Sequence, residues 1–162
     1  MNTVNRSWQP AETRLLAEYL AMFYADYPCQ ERVRVGSYRG TLEIPGLTPA
    51  EVRLLGVWRR WVDAVVLMPA ETILIEAAIR PDPGDVSQLE LYMHLWGSTP
   101  EFADRATLPT RGELVYAVPD PVIPMLAARR GFTVHLFRPA WVKGYLLTLP
   151  PRYRGPSLVP VS

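Results

Sequence analysis

Two acidic residues, Asp63 and Glu76, each stand alone in a run of apolar and β-branched residues, at positions 61–67 and 73–80. A carboxylate is costly to bury in an apolar strand unless a cation or a proton accompanies it. Two carboxylates that converge from neighbouring strands supply the oxygen ligands that Mg²⁺ prefers. The alternative interpretation is that both side chains face water on the open side of a sheet.

The other residues with ligand or nucleophile chemistry are scattered along the chain. Cys29 is the single cysteine, which excludes an internal disulfide and any cysteine-based metal cage. His94 and His135 lie in a predicted helix and a predicted strand, and they do not share the spacing of a zinc site. We therefore predict that both histidines are packed or surface side chains.

The charge pattern favours no single class of partner. The formal net charge is +1, which gives no general attraction to nucleic acid. Of the 17 basic residues only Lys143 is a lysine. Pairs of arginines can contact phosphate, and beside aromatic residues they serve protein interfaces equally well. These pairs are Arg59 and Arg60, Arg129 and Arg130, and Arg152 and Arg154.

The elements that must position Asp63 and Glu76 begin with a hairpin. The two apolar runs are joined by a five-residue turn that contains Pro69, which predicts adjacent antiparallel strands. We expect the carboxylates of Asp63 and Glu76 to point to the same side of the sheet. Asp85 or Ser87 is expected to cap the helix that follows. The remaining pattern predicts helices over residues 10–24, 48–56, 88–96 and 121–130, and strands over residues 31–36, 113–118, 132–137 and 141–149.

This order predicts an α/β fold in which helices flank a mixed central β-sheet, with an added C-terminal strand. Residues 1–150 are expected to form one domain, and the proline-rich residues 151–162 an extended tail. The chain has no apolar run near the length of a membrane span and no hydrophobic signal region at its start. We expect a location in the cytoplasm or in a virion.

The hairpin and the helix after it resemble the PD-(D/E)xK nuclease superfamily. The residues that carry the resemblance are Asp63, Glu76-Ala77-Ala78, and Gln88-Leu89-Glu90-Leu91-Tyr92. The resemblance spans about residues 10–137, mostly through the order of the elements, and implies a restriction-endonuclease-like α-β-β-β-α-β core.

The resemblance also implies a site. In that family the Asp and Glu carboxylates hold one or two Mg²⁺ ions, which implies Asp63 and Glu76 as ligands, with Glu12 or Glu18 of the first helix as a further one. The family's glutamine and tyrosine correspond to Gln88 and Tyr92. A metal at such a site activates the attacking water as a nucleophile and neutralises charge on the phosphate.

The sequence departs from the family at its catalytic lysine, which would stand two residues after Glu76. Ala78 occupies that position, and a methyl group neither binds water nor stabilises a transition state. Arg80 cannot serve as a general base because guanidinium stays protonated, and Lys143 lies beyond the last shared strand. Val62 also replaces the proline that precedes the first carboxylate. The departures predict that the fold is kept and the chemistry lost.

Three functions follow as expectations. The first is an inactive nuclease-fold domain that serves as a structural or adaptor part of a larger assembly, for which the resemblance suggests a phage head-completion or neck position. The alternatives are an active Mg²⁺-dependent nuclease and a DNA-binding module. Even a vestigial site should crowd negative charge and raise at least one carboxyl pKa, unless an arginine, of which Arg80 is nearest in sequence, neutralises it.

Overall fold

The computed structural model describes residues 9–37, 48 and 60–151. Its elements, in chain order, are α1 (Gln9–Phe23), β1 (Cys29–Val35), β2 (Arg60–Leu67), β3 (Thr72–Ala78), α2 (Pro83–Trp96), a 3₁₀ helix (Pro100–Arg105), β4 (Thr110–Tyr116), α3 (Ile123–Arg129), β5 (Thr133–Leu136) and α4 (Ala140–Thr148). Residues 49–56 of the predicted helix and the tail from residue 152 onward lie outside the described residues.

The strands form one mixed sheet in the order β1-β2-β3-β4-β5. β1, β2 and β3 pair antiparallel, whereas β3, β4 and β5 pair parallel. Parallel neighbours need a crossover, and α2 and α3 provide the crossovers from β3 to β4 and from β4 to β5. The predicted hairpin and the predicted α/β class with a mixed sheet are confirmed.

One face of the sheet is covered by α1 and α4. Leu16, Tyr19 and Leu20 of α1 pack against the buried residues Ala64, Val66, Ile73, Ile75, Ala77 and Val115. Leu15 of α1 meets Val142 and Leu146 of α4 at the edge of the same layer. Each buried Leu or Val side chain contributes roughly 1.5–3 kcal/mol, so this layer fixes the position of α1 over β2 and β3.

The opposite face is covered by α2 and α3. The buried residues of α2 are Val86, Leu89, Tyr92 and Trp96, and those of α3 are Ile123 and Ala127. They share a core with Val65 of β2, Leu74 of β3 and Leu114 of β4. The two helical layers therefore hold β2 and β3 from both sides. Among the described residues, no helix has the length and apolar character needed to cross a membrane.

The start of α2 differs from the predicted one. Asp82 is the N-cap, and its side chain accepts a hydrogen bond from the Gly84 N–H. The Asp85 carboxylate accepts a hydrogen bond from the Asp82 N–H (2.9 Å). The helix thus begins five residues before the predicted start, because Pro83 and Gly84 form its first turn rather than a separate turn. As a result, Asp85 sits in the first turn of α2, close to the end of β3.

The predicted C-terminal strand over residues 141–149 is wrong, because this segment is the helix α4. Its apolar residues recur at helical spacing, with Val142 and Leu146 buried one turn apart. Trp141 donates to the Glu18 carboxylate of α1 (2.9 Å), and Arg14 lies 4.5 Å from the centre of its ring. Trp141 and Val142 of this segment instead pack against α1.

Candidate acidic site

The acidic site forms where β2 and β3 part. Their backbone pairing runs from Leu67 opposite Thr72 to Ala64 opposite Ile75, and Asp63 and Glu76 stand one position beyond. The Ala77 N–H donates to the Asp63 carboxylate (2.9 Å), in place of a further backbone pair. The two carboxylates thus lie at the opening of the hairpin, on neighbouring antiparallel strands as predicted.

The expectation that both carboxylates point to the same side of the sheet is wrong, because they leave the sheet on opposite sides. Glu76 lies between Leu74 and Ala78, which pack toward α2, so it shares their face. Asp63 instead lines a cavity of about 110 Å³ beneath α1, together with Glu12 and Ala77. The two groups approach each other through the gap between the parted strands, and Asp63 raises the pKa of Glu76 across this gap.

Glu12 and Asp85 bring two more carboxyl groups to the same place. Burial, followed by the charge of Asp63, raises the pKa of Glu12 from 4.5 to about 7, although the Ile79 N–H partly offsets the shift. Burial raises the pKa of Asp85 from 3.8 to about 6. Burial and then Asp63 raise the pKa of Glu76 to about 10. The expected crowding of negative charge is confirmed, and Asp85 is a member that the sequence did not reveal.

Arg32 opposes this charge, although the sequence pointed to Arg80 as the nearest arginine. Arg32 lies on β1 between Glu31 and Val33, which pair with Ala64 and Val62, so it stands opposite Asp63. It lines the same cavity, and its positive charge lowers the pKa of Asp63, which burial raises more strongly. Its backbone has a φ of 53°, in the left-handed region that residues with a Cβ rarely adopt.

Both strands change the face they present at this point. In β1, Cys29 packs toward α1, whereas Val33 and Val35 pack toward α2. In β2, Ala64 packs toward α1, whereas Val62 packs toward α2. Residues two apart in a regular strand share a face. The interruption falls at Arg32 and Asp63, and it lets both side chains reach the cavity under α1.

One buried polar atom in this region, the Oε2 atom of Glu76, lacks a hydrogen-bond partner. Tyr116 is 2% exposed, and its hydroxyl lies near enough to the Asp85 carboxylate to lower the pKa of that group. Burial and Asp85 raise the pKa of Tyr116 in turn. Orphaned buried polar atoms are uncommon, and they favour a bound ion or ordered water at this site.

The remaining candidates fall elsewhere. Gln88 is exposed on α2, whereas Tyr92 faces the acidic site, where burial and Glu76 raise its pKa. Glu18 is held by Arg14 and Trp141, so Glu12 is the α1 carboxylate at the site. Ala78 packs at the edge of the core toward α2. Lys143 is exposed on α4.

The residues fit Mg²⁺ in chemistry, although they do not form a finished cage. Within the described ranges, no group of three or more His, Cys, Asp or Glu side chains is arranged to hold a metal ion. Mg²⁺ is commonly held by one or two carboxylates plus waters and phosphate oxygens rather than by an all-protein cage. The Asp63 carboxylate, the orphaned oxygen of Glu76 and the nearby Glu12 match that mode.

A second buried carboxylate, Glu113 on β4, lies on the α1 side and has a different environment. It is 1% exposed and accepts hydrogen bonds from Tyr19 (3.0 Å), Tyr24 (2.6 Å) and Arg111. The Nε2 atom of His135 lies 3.6 Å from its Oε1 atom. No sequence pattern indicates this group, because Tyr19 on α1 and Tyr24 just after it are 94 and 89 residues away in the chain.

A comparison with protein-family models found no match, and a comparison with curated proteins found none either.

Proposed function

We propose that this chain is a nuclease-like domain of the PD-(D/E)xK type that keeps a divalent-cation site and has lost hydrolysis, and that it acts as a non-catalytic part of a larger assembly. The observation that carries the proposal is the approach of Asp63, Glu76 and Glu12 at the parting of β2 and β3. Ala78 stands where the family's lysine would be.

The electrostatics support cation binding. Carboxyl groups with raised pKa values are destabilised in their charged form, and a divalent cation among them reverses that effect. The orphaned Oε2 atom of Glu76 supplies a ligand that no protein group uses. The site bound to Mg²⁺ would retain Asp63 and Glu76 as ligands, with Glu12 beside them.

The loss of hydrolysis follows from the groups that remain. In the nuclease superfamily that the sequence resembles, the lysine positions and activates the attacking water. Carboxylates and Arg32 cannot replace it, because guanidinium stays protonated and the carboxylates are occupied with the cation. Loss of general-base help alone lowers a rate typically by 10²- to 10⁴-fold.

An apolar surface supports the assembly role. Met22 (67% exposed) and Phe23 (52% exposed) end α1, and Met22 lines an open groove with Phe137, Arg138 and Pro139. Exposed apolar patches of this kind commonly mark protein interfaces. A native mass measurement on the wild type and on Met22→Glu tests this part, with Leu147→Glu on α4 as a control. A wild-type monomer that has no partner would contradict it.

Calorimetric titration with Mn²⁺ and Mg²⁺ tests the cation site. The wild type should bind, and Asp63→Asn should lose at least about tenfold in affinity, as even indirect ligand partners contribute that much. Asp104→Asn, which removes an exposed carboxylate of the 3₁₀ helix, should bind like the wild type. Absence of binding, or equal affinity in all three proteins, would contradict the proposal.

Incubation of the wild type with plasmid and linear DNA in Mn²⁺ tests the loss of hydrolysis. No cleavage is expected. Cleavage that disappears in Asp63→Ala would instead establish an active nuclease, the second candidate function, which Arg32 at the cavity favours because it adds a cation to the site. Cleavage that persists in Asp63→Ala would show contamination.

A further inference from the structure

The two edge strands of the sheet, β1 and β5 among the described residues, differ in how they are protected. β1 reads Cys-Gln-Glu-Arg-Val-Arg-Val, with three charged side chains, and the positive φ of Arg32 interrupts its regular backbone. Charged residues and backbone irregularities prevent edge strands from pairing with other chains. β5 reads Thr-Val-His-Leu, without an acidic residue, a lysine, an arginine or a proline. β5 is therefore the edge that can accept another strand.

The backbone of β5 presents hydrogen-bonding groups to the outside of the sheet. The Phe137 N–H donates to the Tyr116 carbonyl oxygen of β4 (2.8 Å). Because alternate residues of a strand in a parallel pair bond to opposite sides, the N–H and C=O groups of Val134 and Leu136 point away from β4. A strand of four residues offers few such bonds, so stable pairing also requires side-chain contacts on its two faces.

Apolar depressions lie on both faces of β5. On the α3 side, Val134 and Leu136 line a cavity of about 230 Å³ together with Pro124, and Leu136 is 59% exposed. On the α1 side, Phe137 lines the groove of about 520 Å³ that also contains Met22. Successive side chains of an added strand would point to opposite faces. Neighbouring residues of one extended segment can therefore enter both depressions.

The charges beside β5 indicate the kind of segment that fits. Arg129 precedes β5 and Arg138 follows it, and both are exposed. The carboxylates that line the two depressions are already engaged, since Asp120 accepts from two N–H groups at the start of α3 and Glu18 accepts from two side chains. Complementary charge selects partners, so this edge favours an acidic segment. Pairing of β5 strands from two copies would instead bring their arginines together.

We propose that the outer edge of β5 binds an extended segment of a partner protein, apolar in its middle and acidic at its ends, which pairs with β5 as a sixth strand. This inference rests on the assembly role proposed above and names the chemistry and the binding mode of the partner. It does not depend on the cation site. In strand addition, main-chain hydrogen bonds give affinity, and pockets for alternate side chains give specificity.

Fluorescence anisotropy with the labelled peptide Glu-Glu-Val-Leu-Val-Leu-Glu-Glu tests the proposal, and the wild type should bind it. The same peptide with its four apolar residues N-methylated keeps the side chains and the charge but loses the donors for strand pairing. It should bind at least about tenfold more weakly. A peptide with lysine in place of the four glutamates should also bind at least about tenfold more weakly, because it meets the arginines beside β5.

Substitutions at the edge separate backbone pairing from side-chain contact. Leu136→Pro removes an outward N–H together with the side chain, at a position where an edge strand tolerates proline. It should bind the peptide about 10- to 100-fold more weakly than the wild type, and Leu136→Ala, which keeps the N–H, should lie between the two. Arg138→Gln should weaken binding about threefold at low salt. Lys143→Gln, which removes an exposed charge of α4, should leave it unchanged.

Circular dichroism verifies the fold of each variant, and the N-methylated peptide tests the wild type itself if Leu136→Pro does not fold. Absence of peptide binding by the wild type, or equal affinity for the N-methylated peptide, would overturn the proposal. A native dimer that Leu136→Pro dissociates would mean that a second copy takes the edge, which overturns the partner segment and leaves the assembly role standing. Peptide affinity should be equal in Mg²⁺ and in EDTA, so a failure of the cation site is recognised separately.

Discussion

Two carboxylates on neighbouring strands of one sheet, Glu113 and Glu76, show how differently a protein treats a buried acid. Glu113 is surrounded by donors: two tyrosine hydroxyls, the Arg111 guanidinium and the nearby His135. Glu76 faces other carboxyl groups, and one of its oxygens has no partner.

The difference in hydrogen-bond partners indicates that Glu113 stabilises the fold and that Glu76 does not. A buried charge with a full set of donors is satisfied, so the structure around Glu113 is complete without a ligand. The environment of Glu76 raises its pKa to about 10 and leaves an acceptor unused. Stability does not require such an arrangement, and a site that binds a cation does.

The largest expected effect on stability comes from Glu113, the carboxylate with a full set of hydrogen-bond donors. Glu113→Gln should lower the free energy of unfolding by about 2–4 kcal/mol, because it removes the charge that accepts hydrogen bonds from Arg111 and two tyrosine hydroxyls. The partial exposure of Arg111 limits the loss. Urea unfolding followed by circular dichroism measures the change. A loss below about 0.5 kcal/mol would mean that the network around Glu113 is not structural.

Ala78→Lys tests whether the acidic site around Glu76 is a nuclease site that lacks only its lysine. The substitution places an amine two residues after Glu76, as in the family that the hairpin resembles. Cleavage of plasmid DNA in Mn²⁺ should rise above the wild-type background by up to about 10²-fold, the lower range for general-base help. The double variant with Asp63→Ala is the control and should return to background. No gain in a folded Ala78→Lys protein would speak against a nuclease geometry.

Stability should depend on pH through the acidic site, in the opposite sense to an ordinary salt bridge. The pKa values of Glu12 and Asp85 rise from 4.5 to about 7 and from 3.8 to about 6. The folded state therefore binds more protons than the unfolded state in this range, and the contribution of these groups to stability is full below about pH 4 and is lost as pH rises to about 7. Melting temperatures of the wild type and Glu12→Gln across this range check it, and the variant should show the flatter curve.

The effect of Mg²⁺ on the melting temperature should also depend on pH. At pH 8 these carboxyls are mostly ionised, so the cation should raise the melting temperature, whereas at pH 5 it should have little effect. At a cation concentration 100 times its Kd the expected gain is about 2.7 kcal/mol. Equal responses at the two pH values would place the ion elsewhere on the protein.

The smallest expected effect is that of Glu76→Gln, the counterpart of the Glu113 substitution. Because the Glu76 carboxyl is protonated at neutral pH in the absence of a cation, an amide of the same shape should change the free energy of unfolding by less than about 1 kcal/mol. The stabilisation by Mg²⁺ should disappear. A loss as large as that of Glu113→Gln would remove the distinction between the two acids.

The features that the sequence predicted are those carried by local patterns. Two apolar runs and a turn predict the hairpin with Asp63 and Glu76 on neighbouring strands, whereas their place at its open end and on opposite sides of the sheet comes from the structure. The strand predicted over residues 141–149 failed because aromatic and β-branched residues fit either element, and contact with α1 decides between them.

The site was predicted only in part because its other members depend on tertiary placement. Asp85 reaches it because Asp82 and Pro83 begin α2 early. Arg32 reaches it through a backbone conformation that its residue type disfavours. The choice between Glu12 and Glu18, six residues apart on α1, was settled by Arg14 and Trp141, which hold Glu18. No pattern within the sequence contains these contacts.

The helix α1 contributes to both acids. It carries Glu12 to the acidic site and Tyr19 to Glu113, seven residues and about 10 Å apart along its axis. A rigid helix cannot move toward one site without altering the other, so the two are linked thermodynamically and the linkage is reciprocal. A cation that drew Glu12 inward would therefore act on the hydrogen bond between Tyr19 and Glu113, two turns further along the same face of the helix. Protection of the α1 amides from hydrogen exchange reports that motion, with no label at either site.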